Sequence, residues 1–268
     1  MTIKSHQRIL LTGAAGGLGV ALRERLKANC EILRLSDRVD LGTAHAQEEI
    51  MLADLADADA VNAMMADVQA VVHMGGISVE GPFAPILQAN IVGIYNLYEA
   101  ARKSGTKRVV FASSNHVTGF YKQSETIMAD RPARPDGYYG LSKAFGEDIS
   151  RMYFDRYGIE TACVRIGSSF PEPRDRRMLA TWLSYDDLHR LITACLTTSV
   201  LAHTIIFGMS NNSVTWWDNA QARHVGYVPR DSSDVFRDAV YARTPAPDLS
   251  DPTVLYQGGA FVQMGPFE

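Results

Sequence analysis

Cysteine is scarce: 268 residues contain three, Cys30, Cys163 and Cys195. They are odd in number, far apart and set among apolar neighbours. That excludes a disulfide frame and a paired-cysteine metal site, and it points to buried, reduced thiols in a reducing cytoplasm. No metal is expected. Long hydrophobic runs are also missing. The N-terminal stretch MTIKSHQRILLTGAAGG has an apolar run only as long as a buried strand, and glycines interrupt it at once. This is far short of the roughly 20 residues of a membrane span and unlike a signal peptide, so neither a membrane nor a targeting segment is expected. Neither sign of charge dominates. Lys and Arg number 26 against 30 Asp and Glu, for a net charge of −4, and no block of like charge suggests a basic arm or an acidic tail. Nucleic acid is therefore not an expected partner. Internal repeats and low-complexity tracts are absent as well.

What is present is an ordinary globular composition, 46% apolar and 21% charged, with enough length for one large domain. Short β-branched or leucine-rich runs alternate with longer amphipathic stretches, the pattern of a parallel sheet with crossover helices. Strands are predicted at 8–12, 31–36, 49–53, 69–74, 107–113, 159–166 and 203–208. Helices are predicted at 17–28, 57–66, 84–104 and 138–157. The fold class is thus α/β, a doubly wound parallel sheet. The Ser-, Pro- and Arg-rich stretch 167–184 opens a small C-terminal lobe, with a helix at 185–197, a strand and two short helices after it. The lobe is read as part of a single domain over 1–268.

Thr12-Gly13-Ala14-Ala15-Gly16-Gly17-Leu18-Gly19 follows the first strand and opens a helix. Glycines there let backbone N–H groups approach a pyrophosphate at a helix N-terminus. Asp37, at the exit of the second strand, is placed for an adenosine ribose, and its charge favours NAD over NADP, although the neighbouring Arg38 could receive a phosphate. Asp54 and Leu55, after the third strand, are placed to touch adenine; Asp54 reads equally well as a helix N-terminal acid. Tyr139 and Lys143 are spaced i, i+4 and share a helix face, which Tyr138 does not. An ammonium beside a phenol favours the phenolate, so Tyr139 can act as a general base. Ser114, with Ser113 at a strand end on the ligand crevice, can hold the reacting oxygen.

Together, TGxxGxxG at 12–19, Asp37, Asn90 in NIVG, Ser114 and Tyr139-x-x-x-Lys143 resemble the extended short-chain dehydrogenase/reductase family. The resemblance implies a Rossmann fold, NAD as cofactor, and a catalytic set of Ser114, Tyr139, Lys143 and Asn90, with Asn90 holding a proton-relay water. It also implies that Met74, Gly75, Gly76, Asn90, Lys143 and Ile166 line the cofactor site. Gly75-Gly76-Ile77 replaces the Asn-Ala-Ala-like turn of many relatives.

Three strand-end stretches carry further polar groups: 75–80, 113–116 and 165–169, the last leading to Arg174, Arg176 and Arg177. Ser78, Ser114, Asn115, His116 and Ser168 can serve several hydroxyls while an arginine takes a carboxylate. Such a pocket suits a small polyhydroxylated anion. His73 reads as a satisfied core histidine, and Trp216-Trp217 as packing of the lobe. Whole phrases such as FASSNHVTGFY, ARPDGYYGLSKAFGE and YQGGAFV are similar to the hexuronate-oxidising branch of the family. That likeness implies oxidation at C1 of a uronate such as galacturonate or glucuronate, with Arg177 on its carboxylate and a homo-oligomeric assembly. The alternatives are a sugar-nucleotide epimerase or dehydratase, for which the C-terminal lobe is small, and a non-catalytic NAD-binding regulator, against which the intact Ser114, Tyr139, Lys143 set argues.

Overall fold

The computed structural model describes residues 5–267. Residues 1–4 and 268 lie outside the described residues, and with them the start of the stretch inspected for a targeting signal and the two ends of the expected 1–268 domain.

Seven strands form one parallel sheet: β1 (His6–Thr12), β2 (Cys30–Ser36), β3 (Glu48–Ile50), β4 (Ala70–His73), β5 (Arg108–Ser114), β7 (Glu160–Ile166) and β8 (His203–Gly208). Their order is β3-β2-β1-β4-β5-β7-β8. β6 (Ile127–Met128) and β9 (Trp217–Asp218) pair separately. All seven predicted sheet strands are present, because each central strand is a short apolar run buried on both faces, as a parallel sheet requires. The third is shorter than expected.

Helices α1 (Gly17–Leu26), α2 (Ala58–Met64), α3 (Phe83–Ile86), α4 (Gly93–Ser104) and α5 (Tyr138–Tyr157) come from the first two-thirds of the chain. α6 (Arg176–Thr181), α7 (Tyr185–Thr197), α8 (Arg237–Arg243) and α9 (Pro252–Leu255) follow. One core, with Leu22, Leu33, Leu188 and Ile192, lies between the sheet and α1 and α7. A second, with Met64, Leu97, Tyr98 and Tyr153, lies under α2, α4 and α5. The sheet is therefore covered on both faces. The chain leaves β1 toward β2 on one side and returns to β4 on the other, so a crevice opens at the carboxyl ends of β1 and β4, where open α/β sheets bind ligands.

The single helix predicted over 84–104 is in fact three pieces, α3, a π-helical turn at Leu87–Val92 and α4. Within that turn the Gly93 N–H reaches the Gln88 carbonyl, five residues back. The extra residue turns Asn90 inward, a use of π-turns that recurs at functional sites.

In the C-terminal part, Trp217 stacks on Phe207 at 5.0 Å and Trp216 meets Trp217 edge-on. His73 is buried, and its Nδ1 lies 2.7 Å from Thr12 Oγ1. The three cysteines are free and buried. Among the described residues, no helix is long and apolar enough to cross a membrane.

Candidate active site

A cleft of about 880 Å³ runs along the carboxyl ends of the strands. At one end lies the glycine turn. Gly13 has φ +69°, and a Cβ there would sit 2.6 Å from the Gly75 nitrogen; a Cβ on Gly19 would sit 2.1 Å from the Gly13 carbonyl oxygen. Only glycine permits this close approach of β1, α1 and the β4 loop. Asp37 closes the turn from β2: its Oδ2 accepts from Ala15 N (3.0 Å) and its Oδ1 from Arg38 N (2.8 Å). The carboxylate still lines the cleft, as do Gly16, Gly17, Leu18, Asp54, Leu55, Met74, Gly75, Gly76 and Ile166. Asp54 also accepts from Ala56 N in a local turn, while the N-cap of α2 is Asp57.

The middle of the cleft is built by β5 and α5. Ser114, Tyr139 and Lys143 line it together. Tyr139 is buried, whereas Tyr138 is 45% exposed and packs on Phe83. The Lys143 ammonium lies 5.7 Å from the Tyr139 ring centre and donates to the Ala112 carbonyl at 2.8 Å. Burial pushes the phenol up to about 12, opposed by a hydrogen bond with Ser114 and reinforced by the Asp136 charge. Burial likewise brings Lys143 down to about 8. The expectation that the ammonium lowers the phenol is thus outweighed, in the free protein, by desolvation of both groups.

Asn90, nominated from sequence, does not line the cleft. Its Oδ1 accepts from Ile77 N (2.8 Å), and its Nδ2 donates to the Ile77 carbonyl (3.0 Å) and to Ser142 Oγ (2.9 Å). Both amide hydrogens are committed to protein partners, so the side chain clamps the Ile77 loop behind the site. The clamp explains the second glycine: Gly76 has φ +121°, and a Cβ on it would lie 2.6 Å from Asn90 Oδ1.

The far end collects Ser78, Asn115, His116, Ser168 and Arg177. Arg177 projects from α6 and is half-buried in the cleft wall; desolvation lowers its pKa, opposed by the charges of Asp175 and Asp136. Its Nε donates to the Gln257 carbonyl (2.8 Å) and its Nη1 to Ser168 Oγ (3.5 Å). With the Asn115 amide donating to the Ile166 carbonyl (3.1 Å), Asn115 Oδ1 accepts from Arg177 Nη2 (2.9 Å). Each of these partners is neutral. Of the other two arginines, Arg174 stacks over Phe170 at the rim, and Arg176 turns away to Thr244. Sequence reasoning missed Phe261, whose ring stacks on His116 at 3.9 Å. It also missed Asp136, 2.6 Å from His116 Nδ1, and Glu80, whose carboxylate accepts from both Tyr138 N and Tyr139 N at 2.9 Å. These contacts bridge distant chain positions, and no spacing rule reaches them.

Residues 9–186 match the model of the NAD dependent epimerase/dehydratase family, and the chain belongs to that family. Within it, the chain is similar to uronate dehydrogenases. The enzyme of that name from Pseudomonas syringae pv. tomato is 58% identical over 97% of this chain and 94% of its own. The one from Pseudomonas putida is 57% identical over the whole of both. Among solved structures, a mutant of uronate dehydrogenase from Agrobacterium tumefaciens complexed with NAD superimposes with a TM-score of 0.96. It is 52% identical and is matched over 98% of this chain and 99% of that one.

Proposed function

We propose that the chain oxidises hexuronates such as galacturonate and glucuronate at C1, with NAD as the oxidant, to an aldarolactone that water then opens to the aldaric acid. The observation that carries this reading is Arg177. A half-buried guanidinium whose hydrogen bonds go only to neutral oxygens keeps its charge and spare N–H groups for an anion in the cleft. It sits in the same cleft as Tyr139 and Ser114, with hydroxyl and amide groups beside it, as a sugar carboxylate requires.

The cradle made by Gly13 and Gly19, with Asp37 across the turn, fits a dinucleotide, and the Asp37 charge disfavours a 2′-phosphate. When bound, NAD supplies the two-electron acceptor. The chain's own groups do the rest. Ser114 Oγ orients the C1 hydroxyl, and Tyr139 Oη removes its proton as the C–H bond breaks. Lys143 contributes positive charge that favours the phenolate, and Asn90 holds the Ile77 loop. Ser78, Asn115, His116 and Ser168 hold the sugar hydroxyls, and Arg177 holds the C6 carboxylate. The residues from about 167 onward act as a substrate lobe of one domain.

The stripe of exposed Leu141, Phe145 and Met152 on α5 supports a homo-oligomer, and the three free thiols support a cytoplasmic site. Sedimentation would report the former.

The test is NADH formation with galacturonate, glucuronate, galactose, glucose and UDP-glucuronate, repeated with NADP. The uronates should exceed the neutral sugars in kcat/KM by about 100-fold or more, the scale of a lost charged contact. Equal rates on neutral sugars would remove the role given to Arg177, and faster turnover of UDP-glucuronate would favour a sugar-nucleotide enzyme.

A further inference from the structure

His116 is fixed on three sides. Its Nδ1 lies 2.6 Å from Asp136 Oδ2. Phe261 stacks on one face of the ring, with 3.9 Å between centroids and 16° between planes, and Tyr139 meets the ring at 63° with 5.7 Å between centroids. The ring lines the cleft and Asp136 does not. Nδ1 is thus the nitrogen turned to the protein, and Nε2, which has no hydrogen bond among the described residues, is the one turned to the ligand.

Asp136 has no freedom to turn away. Its side chain is fully enclosed, and a Cβ on Gly119 or Gly258 would fall 1.9 or 2.0 Å from its Oδ2. Its backbone N–H also donates to the His116 carbonyl at 3.4 Å. Its Oδ1 is buried without a hydrogen-bond partner, near the first turn of α5. Burial keeps the imidazole toward its neutral form. Asp136 and, less strongly, Glu80 oppose this, and Arg177 assists it. A neutral imidazole carries one hydrogen, and a carboxylate can only accept, so that hydrogen belongs on Nδ1.

We propose that Asp136 is a positioning residue that acts through His116: it holds the ring in the Nδ1–H tautomer, so that Nε2 accepts a hydrogen bond from one hydroxyl of the sugar acid. The inference rests on reading the cleft as a sugar-acid site. It gives the subsite a direction. Arg177 can only donate, and Asn115 Oδ1 is already engaged by it. A hydroxyl whose oxygen accepts from such donors still needs somewhere to place its hydrogen, and Nε2 is that place.

The first measurement needs no substrate: ¹⁵N-resolved imidazole spectra of the wild-type protein, with His116 assigned by comparison with His116→Gln. A hydrogen on Nδ1 and a bare Nε2 are expected; a hydrogen on Nε2 overturns the proposal. The second compares Asp136→Asn with wild type on uronates bearing fluorine in place of one hydroxyl, a group that cannot donate. In wild type, one position should raise KM by about tenfold or more. In Asp136→Asn, the KM of the parent uronate should rise by about tenfold, kcat should change by less than about threefold, and the penalty at that position should shrink to about threefold. An unchanged KM and an unchanged fluorine penalty would overturn the role of Asp136. Should Asp136→Asn not fold, the wild-type spectrum and the wild-type fluorine series decide alone. Should the wild type oxidise no uronate, the functional reading fails while the spectrum still decides the tautomer.

Discussion

Two groups that a catalytic pair needs charged are both pressed toward neutrality in the free protein. Tyr139 is pushed up to about 12 and Lys143 down to about 8, and in each case burial is the largest cause. If the phenolate is the base, kcat/KM must climb with pH on the acid side until the phenol has given up its proton. Lys143→Met removes the one ammonium on that helix face, so the acid limb should move up by about one pH unit or more and turnover should fall by about 100-fold or more. Tyr139→Phe should keep NAD affinity within about threefold, by fluorescence titration, while turnover falls by about 1,000-fold or more. Lys143 also leaves a stability signature. Its ordinary value is 10.5 and burial brings it to about 8 in the folded chain, so between these the unfolded chain binds the extra proton. Folding stability from this group therefore rises with pH across that window. Urea melts of wild type against Lys143→Met should show that rise only in wild type. The pair was legible in the sequence because i, i+4 spacing is a local property of a helix. Phe261 and Asp136 were not, since their contacts with His116 depend on where distant segments come to rest.

At the scale of elements, α5 must be held in both position and register for its first turn to serve the site. Glu80 grips the start. Its carboxylate accepts the Tyr138 and Tyr139 N–H groups, at the positive end of a 20-residue helix. Glu80→Gln keeps the shape but loses the charge, so a loss of about 1 to 2 kcal/mol is expected, read from thermal melts. Farther along, Glu147 pairs with Arg165 through two contacts of 2.9 and 2.8 Å and also accepts from Ser113 Oγ. This buried group ties α5 to β7 and β5. Glu147→Leu alone should cost about 3 to 5 kcal/mol, because it strands a buried guanidinium. Adding Arg165→Met should restore most of that loss in chemical denaturation; a double variant as unstable as the single one would refute the desolvation argument. The helix positions themselves were readable from apolar periodicity. The π-turn at Leu87–Val92 was not, because apolar spacing over 84–104 suits one continuous helix. The break is set by Asn90 reaching Ile77 and by Gly93, where a Cβ would sit 2.9 Å from Leu55 Cβ.

Across the whole molecule, His6, His73, His116, His189 and His203 all have pKa values lowered by burial, His73 to about 3. Each binds its proton more readily in the unfolded chain. Their contribution is therefore complete above about pH 6.5 and is lost as the pH falls toward the folded values, by at most about 1.4 kcal/mol per pH unit per group. The melting temperature should drop steeply below pH 6.5, and His73→Gln should flatten part of that slope between pH 6.5 and 4. The sheet was legible at this scale because seven buried apolar runs leave few topologies. The destination of the C-terminal segment was not, because an apolar, glycine-bearing stretch carries no address. It folds back on the body of the chain, where Gln257, fully buried, takes the Trp217 indole hydrogen and donates to the Lys122 and Glu125 carbonyls.

That glutamine also sets an order of events in time. Its carbonyl holds Arg177, eighty residues earlier in the chain. A polypeptide emerging from the ribosome has every strand and glycine of the dinucleotide cradle long before it has Gln257. The cradle can thus take shape on a nascent chain while Arg177 is still unheld, and the same sequence of stages should separate in a refolding experiment. NAD-dependent fluorescence should return before uronate protection does, and Gln257→Ala should delay or abolish only the second.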